Sequence, residues 1–170
     1  MDIILRKAVQ GDGKAIVDCM NESCENDCSN CFNKYVCNSN FFLTANPELI
    51  ERKIAQKIGV TILAIDKNKV VGLSMYVINK FSKTQHRAEC GWFVRQSYVN
   101  KGIATKLVNE LVKEAKKNHL KRLEAESSVN NTASLRVAEK LGFKIEGRKT
   151  KALLLDDKKL EDTFILGKLL

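Results

Sequence analysis

Apolar residues recur along this chain at two different spacings, and the alternation between them predicts its elements. Ile103, Leu107, Val108, Leu111, Val112 and Ala115 fall three and four apart, with Lys106, Asn109, Glu110, Lys113 and Lys116 between them, which predicts an amphipathic helix. The same period predicts a helix after Gly11-Asp12-Gly13 (Ala15, Ile16, Cys19, Met20). A second helix is predicted from Pro47 in its first turn through Leu49, Ile50, Ile54 and Ile58 to Gly59. A last helix is predicted over 132–141, with Gly142 as its C-terminal cap and Phe143 packing behind it. Short apolar runs predict strands at 3–6, 60–65, 70–78, 87–94, 122–127, 144–155 and 160–170. Asp66-Lys67-Asn68-Lys69 is a hairpin signal, and the strand at 87–94 is expected to pair antiparallel with its predecessor.

The order β, α, α, three antiparallel strands, then a helix and βαββ predicts an α/β (α+β) fold. Its single, mostly antiparallel mixed sheet is flanked by helices. At 170 residues and 44% hydrophobic the chain suffices for one domain with a sizeable core, so 1–170 is read as one unit. No apolar run approaches a membrane span and the first dozen residues are too charged for a signal peptide, so a soluble cytoplasmic protein is expected.

The junction ahead of the 103–115 helix is where charge matters. Lys and Arg number 29 against 20 Asp and Glu; residues 101–170 hold 16 basic and 10 acidic residues, so most of the excess lies in the half with this turn. A strand running into Val99-Asn100-Lys101-Gly102-Ile103-Ala104 and then a helix presents unpartnered N–H groups at the positive end of a helix dipole. Such a turn suits a phosphate or pyrophosphate, with Gly102 and Ala104 keeping bulk away and Lys101 adding charge. Neither G-x-x-x-x-G-K-[ST] nor G-x-G-x-x-G occurs, which points to a different nucleotide-like ligand. Aromatics are only 6%, and no stripe of interleaved aromatic and basic residues argues for direct nucleic-acid binding.

These residues resemble the GCN5-related N-acetyltransferases, and within them the branch that acetylates ribosomal-protein N-termini. The likeness runs from Leu5-Arg6-Lys7-Ala8 through GWFV, YVNKGIAT and NNTASLRVAEKLGFKIEG to Leu160–Leu166 with Asp162. It implies acetyl-coenzyme A as cosubstrate, its pantetheine arm in a splay between the strand before the turn and the strand after the helix. The pyrophosphate would be held by the turn, Val99, Asn100, Lys101, Gly102, Ile103, Ala104 and Thr105. Val99 stands where the family usually has Gln or Arg, and Ala138 where many relatives have Tyr.

Acetyl transfer needs a neutral amine, a stabilised oxyanion and a protonated leaving thiolate. A backbone N–H at Phe93 or Val94 is expected to polarise the thioester if a bulge there frees a donor. Glu89 is the candidate base; its alternative is a solvent-facing strand residue paired with Arg87 or a neighbour. Ser134 is the candidate for the thiolate and Asn131 for the cofactor arm; each could equally serve the start of its helix. Tyr76, Tyr98 and His86 are weaker candidates. The acceptor is expected to be an amine on a protein N-terminus or a small molecule. Two rival readings are a non-catalytic acyl-coenzyme A sensor or scaffold, and an RNA- or ribosome-binding module with a metal-folded finger.

Cys24, Cys28, Cys31 and Cys37 follow C-x3-C-x2-C-x5-C within a polar insertion spanning about 19–40, with Cys19 just upstream and Cys90 apart. Four thiols in an acidic segment suit a structural zinc ion; an iron–sulfur cluster, free thiols or disulfides are the alternatives.

Overall fold

The computed structural model describes residues 2–21, 46–78, 81–155 and 158–170. Seven strands form one sheet: β1 (Ile4–Lys7), β2 (Gly59–Asp66), β3 (Lys69–Ile78), β4 (Arg87–Val94), β5 (Arg122–Ser128), β6 (Lys144–Leu154) and β7 (Leu160–Leu169). The helices are α1 (Gly13–Asn21), α2 (Pro47–Ala55), α3 (Ile103–Lys117) and α4 (Thr132–Lys140). The strand order is β1-β2-β3-β4-β5-β7-β6, antiparallel throughout except for β4 beside β5.

Each face of the sheet buries its own cluster. Leu107, Val108, Leu111 and Ala115 of α3 and Ala138 of α4 pack on Ile62, Val71, Ala88, Trp92 and Leu123. Ile16, Val17 and Cys19 of α1 and Ile50 of α2 cover Leu63, Leu73, Met75 and Phe93 on the other face. Burying a side chain of this size contributes roughly 1.5–3 kcal/mol, which is why the alternation along β2, β3 and β4 fixes their register.

The ends of the helices follow from local chemistry. Asn46 caps α2 by accepting from the N–H groups of Glu48 and Leu49, with Pro47 in the first turn as expected. After α4, Gly142 adopts φ +80, its N–H reaches Glu139 O and the Phe143 N–H reaches Ala138 O, the paired bonds of a Schellman cap. Phe143 then meets Trp92 of β4 at 6.0 Å between ring centroids, tilted 56°.

Two expectations are corrected. The α2 helix stops at Ala55 rather than near Gly59, because Lys57 takes φ +50 and β2 begins at Gly59. The insertion, read as spanning about 19–40, starts later, because α1 runs to Asn21; Cys19 lies in that helix as its spacing predicts and is wholly buried.

Candidate functional site

The parallel pairing of β4 with β5 covers only three rungs: Arg87 with Arg122, Ala88 with Leu123 and Glu89 with Glu124. Both strands continue, to Val94 and to Ser128, but each keeps only its outer partner, β3 or β7. The middle of the sheet therefore opens into a wedge between Gly91–Val94 and 125–128.

Which backbone groups face the wedge follows from strand alternation. Arg95 N–H donates to Val71 O, and His86 O accepts from Lys121 N–H. Odd-numbered β4 residues thus point their amides at β3, and Trp92 and Val94 point theirs into the opening. Of the two amides considered, that of Val94 faces the opening, whereas the Phe93 amide faces β3 and its side chain lies in the core under α1. The expected bulge is absent: β4 pairs with β3 in unbroken register from Ala88 to Val94. Divergence from β5, not a bulge, frees the Val94 N–H.

At the end of β4 the chain enters the turn. Arg95 is buried, its Nε donating to Val70 O at 2.7 Å, and Tyr98 Oη donates to Asp66 in the β2–β3 hairpin at 2.9 Å. These bonds tie the turn to the sheet. Asn100 takes φ +61 and Gly102 φ +74, and no side chain caps α3, so the N–H groups of Ile103, Ala104 and Thr105 open outward. A Cβ on Gly102 would meet nothing within 4 Å, so glycine is needed there for its backbone conformation and leaves open space at the helix start. Lys101 folds back, its Nζ on Ser97 O at 2.9 Å and 5.0 Å from the Tyr98 ring centre, while Val99 stays exposed.

On the α1/α2 side of the sheet, Glu89 is exposed at the last rung of the ladder. The alternative pairing with Arg87 is not formed: Arg87 binds Glu124 at 2.8 Å, and Arg122 binds both Glu124 and Glu146. Burial pushes the Glu124 carboxyl up, but the hydrogen bonds from Arg122 and Arg87 outweigh it and hold it below the usual carboxylate range. Glu89 has no ion pair among the described residues. Glu126 lies on the same face, two residues beyond the ladder on β5, held by Thr163 Oγ1 at 2.5 Å and Lys149 Nζ at 2.5 Å.

At the far lip of the wedge, Asn131 Oδ1 accepts from the Ser134 N–H at 3.1 Å, so Asn131 is the N-cap of α4. The Ser134 hydroxyl is half-buried and no described group bonds it. Ala138, at the position where many relatives have Tyr, is buried against α3. Tyr76 Oη accepts from Asn118, and burial pushes its hydroxyl up; it and Tyr98 serve structure. Cys24, Cys28, Cys31 and Cys37 lie outside the described residues, among which no group of His, Cys, Asp and Glu could hold a metal.

Sequence reading missed Glu126, Thr163, Ser127 and Ser128, although the alternation of Glu124 and Glu126 signalled a polar strand face. Their relation to the wedge depends on β7 lying between β5 and β6, which no local pattern encodes.

The residues present fit a nucleotide-bearing thioester: an open, uncapped helix start follows a strand whose inner amides are freed by divergence from its neighbour. Solved structures share the whole fold. A GNAT-family acetyltransferase from Streptococcus pneumoniae is 24% identical with TM-score 0.83, covering 99% of this chain and 100% of that one. A ribosomal-protein-alanine N-acetyltransferase from Brucella melitensis is 22% identical with TM-score 0.81, covering 98% and 99%. A putative acetyltransferase from Salmonella typhimurium, solved with its cofactor acetyl-CoA, is 17% identical with TM-score 0.83, covering 99% and 94%. The model of the acetyltransferase (GNAT) family matches residues 26–143, which is more than half of the chain, and this protein belongs to that family.

Proposed function

We propose that this acetyltransferase moves the acetyl group of acetyl-coenzyme A directly onto an α-amino group at a protein N-terminus. The observation that carries the reading is the wedge itself, with Glu89 unpaired where β4 and β5 part and the turn of α3 open at its other end. Acetyl-coenzyme A supplies the activated acyl group. The turn from Val99 to Thr105 binds the pyrophosphate through backbone N–H groups. The Val94 N–H, facing the wedge, donates to the thioester oxygen and favours the negative charge that develops there. Glu89 takes the proton of the attacking amine as the N–C bond forms and the C–S bond breaks, and the Ser134 hydroxyl donates a hydrogen bond to the departing sulfur.

The acceptor class rests on the amine. An α-amino group with pKa about 7.7–8.0 is partly neutral at pH 7, whereas a lysine at about 10.4 is almost wholly charged. A site with one unpaired carboxylate suits the first. The acceptor named for the Brucella protein, a ribosomal-protein alanine, agrees with this.

Coenzyme A release, measured with peptides of free and blocked N-termini beside polyamines and aminoglycosides, tests the proposal. Turnover on free N-termini alone is expected. Turnover confined to polyamines or aminoglycosides removes the acceptor assignment, and tight binding without turnover on any amine favours a sensor. The spacing of Cys24, Cys28, Cys31 and Cys37 supports a zinc site in the insertion. Metal analysis of protein purified without chelator should give about one zinc per chain, and a small fraction of that discards it.

A further inference from the structure

The apolar cluster beneath α1 and α2 reaches no further across the sheet than Phe93 of β4. On the same face, past the opening, β5, β7 and β6 carry Glu126, Thr163 and Lys149. Alternation from Glu89 and Glu124 puts Glu126 there, two residues beyond the last rung of the β4–β5 ladder. Continuing that register by two residues would set Glu126 against Gly91, which has no side chain to fill the widening space.

The Glu126 carboxylate is fixed in place. The buried Thr163 hydroxyl donates to Oε1 at 2.5 Å, and Lys149, the cross-strand neighbour of Thr163, sets its Nζ 2.5 Å from Oε2. Each oxygen keeps a further lone pair. The Glu126 side chain is 27% exposed and that of Lys149 50%, so the pair is reached by solvent. Glu124 differs, because arginines of both strands neutralise it. Glu126 has one half-exposed cation, and a second can approach the same group.

The acceptor brings that cation. An α-amino group with pKa about 7.7–8.0 arrives at pH 7 mostly as ammonium, so its site needs one group to bind the charged form and another to take the proton. Glu89, at the last rung, is placed for the proton. We propose that Glu126 is the acceptor-binding residue that receives the ammonium, with Thr163 positioning its carboxylate and Lys149 competing for it. The inference rests on the acceptor being an amine that attacks beside Glu89. Two residues of strand separate Glu126 from the rung of Glu89 by about 7 Å along β5. Two glutamate side chains with one ammonium between them span that distance.

Opposite charge changes should have opposite effects on the acceptor. Glu126→Gln keeps an oxygen to accept from Thr163 and removes the charge. For a short peptide with a free N-terminus, KM should rise about tenfold, the worth of a hydrogen bond to a charged group. The change should appear in that KM rather than in kcat, with the KM for acetyl-coenzyme A unaltered. Lys149→Met removes the competing cation and should lower the peptide KM about threefold. A pair that only tied β5 to β6 would move both variants the same way, together with the melting temperature. An unchanged peptide KM in Glu126→Gln, an effect confined to kcat, or a peptide KM that does not fall in Lys149→Met would each overturn the assignment. The lysine variant decides alone should the glutamine variant fail to fold. Absence of wild-type turnover on any free N-terminus would instead reject the acceptor reading beneath it.

Discussion

Glu89 and Glu124 face each other across the last rung of the β4–β5 ladder, and the sheet opens immediately beyond them. Their environments differ sharply: Glu124 is clasped by Arg87 and Arg122, while Glu89 is exposed with no cation from the described residues. Two carboxylates at one rung thereby differ: one is ion-paired to arginines of both strands and the other is exposed.

Glu89→Gln should lower kcat about a hundredfold, the low end of general-base contributions, with the KM for acetyl-coenzyme A little changed. Because Glu89 makes no ion pair there, its loss should leave stability within about 0.5 kcal/mol. Steady-state kinetics of Glu89→Gln beside Glu126→Gln decide the assignment. A large drop confined to the Glu126 variant would transfer the base role to Glu126.

Gly102→Ala and Gly102→Glu carry the same backbone strain at φ +74, about 1–2 kcal/mol. Both should melt a few degrees early and equally. Only the glutamate projects bulk and negative charge into the open start of α3, so it alone should abolish acetyl-coenzyme A binding. Equal binding by both variants would show that the turn does not hold the pyrophosphate.

Asn131 is tested by separating its two roles. Asn131→Ala removes the cap on the Ser134 N–H and should cost about 1 kcal/mol, a fall of roughly 2–4 °C in melting temperature. Asn131→Asp keeps the acceptor oxygen and should restore the melting temperature, yet bind acetyl-coenzyme A more weakly. Full binding by the aspartate variant would confine Asn131 to its structural role.

Acid stability should depend on Asp12. The hydrogen bond from Arg6 holds its carboxyl below the usual range, outweighing burial, with the Val9 N–H adding to the effect. A carboxylate with a depressed folded pKa contributes stability that is fully present above its unfolded value of about 4 and is lost as pH falls through the folded value. Urea unfolding should therefore show a steep loss below about pH 4, and Asp12→Asn should be less stable at pH 7 with a flatter acid limb. Parallel limbs for the two proteins would contradict this.

The elements were legible from sequence because their causes are local. The three-and-four spacing of Leu107, Val108 and Leu111 makes α3, Pro47 starts α2, and Gly142 with Phe143 ends α4. The same three-and-four spacing places Cys19 in α1, but the start of the insertion, about 19, fell inside that helix, and only packing with Leu63 and Phe93 shows Cys19 to be a core position. Whether Glu89 pairs with Arg87 was left open by the sequence, since the partner Arg87 takes, Glu124, lies 37 residues away.

The sequence by itself determined the helices, the strands, the turn at Gly102 and the resemblance that named a cosubstrate, since each depends on neighbours within a few turns of chain. Only the tertiary structure decided where the sheet opens. Whether β4 and β5 pair or part, and which amides and carboxylates flank the opening, depend on strands distant in sequence, whose hydrogen bonds and side-chain faces exist only once the sheet is assembled.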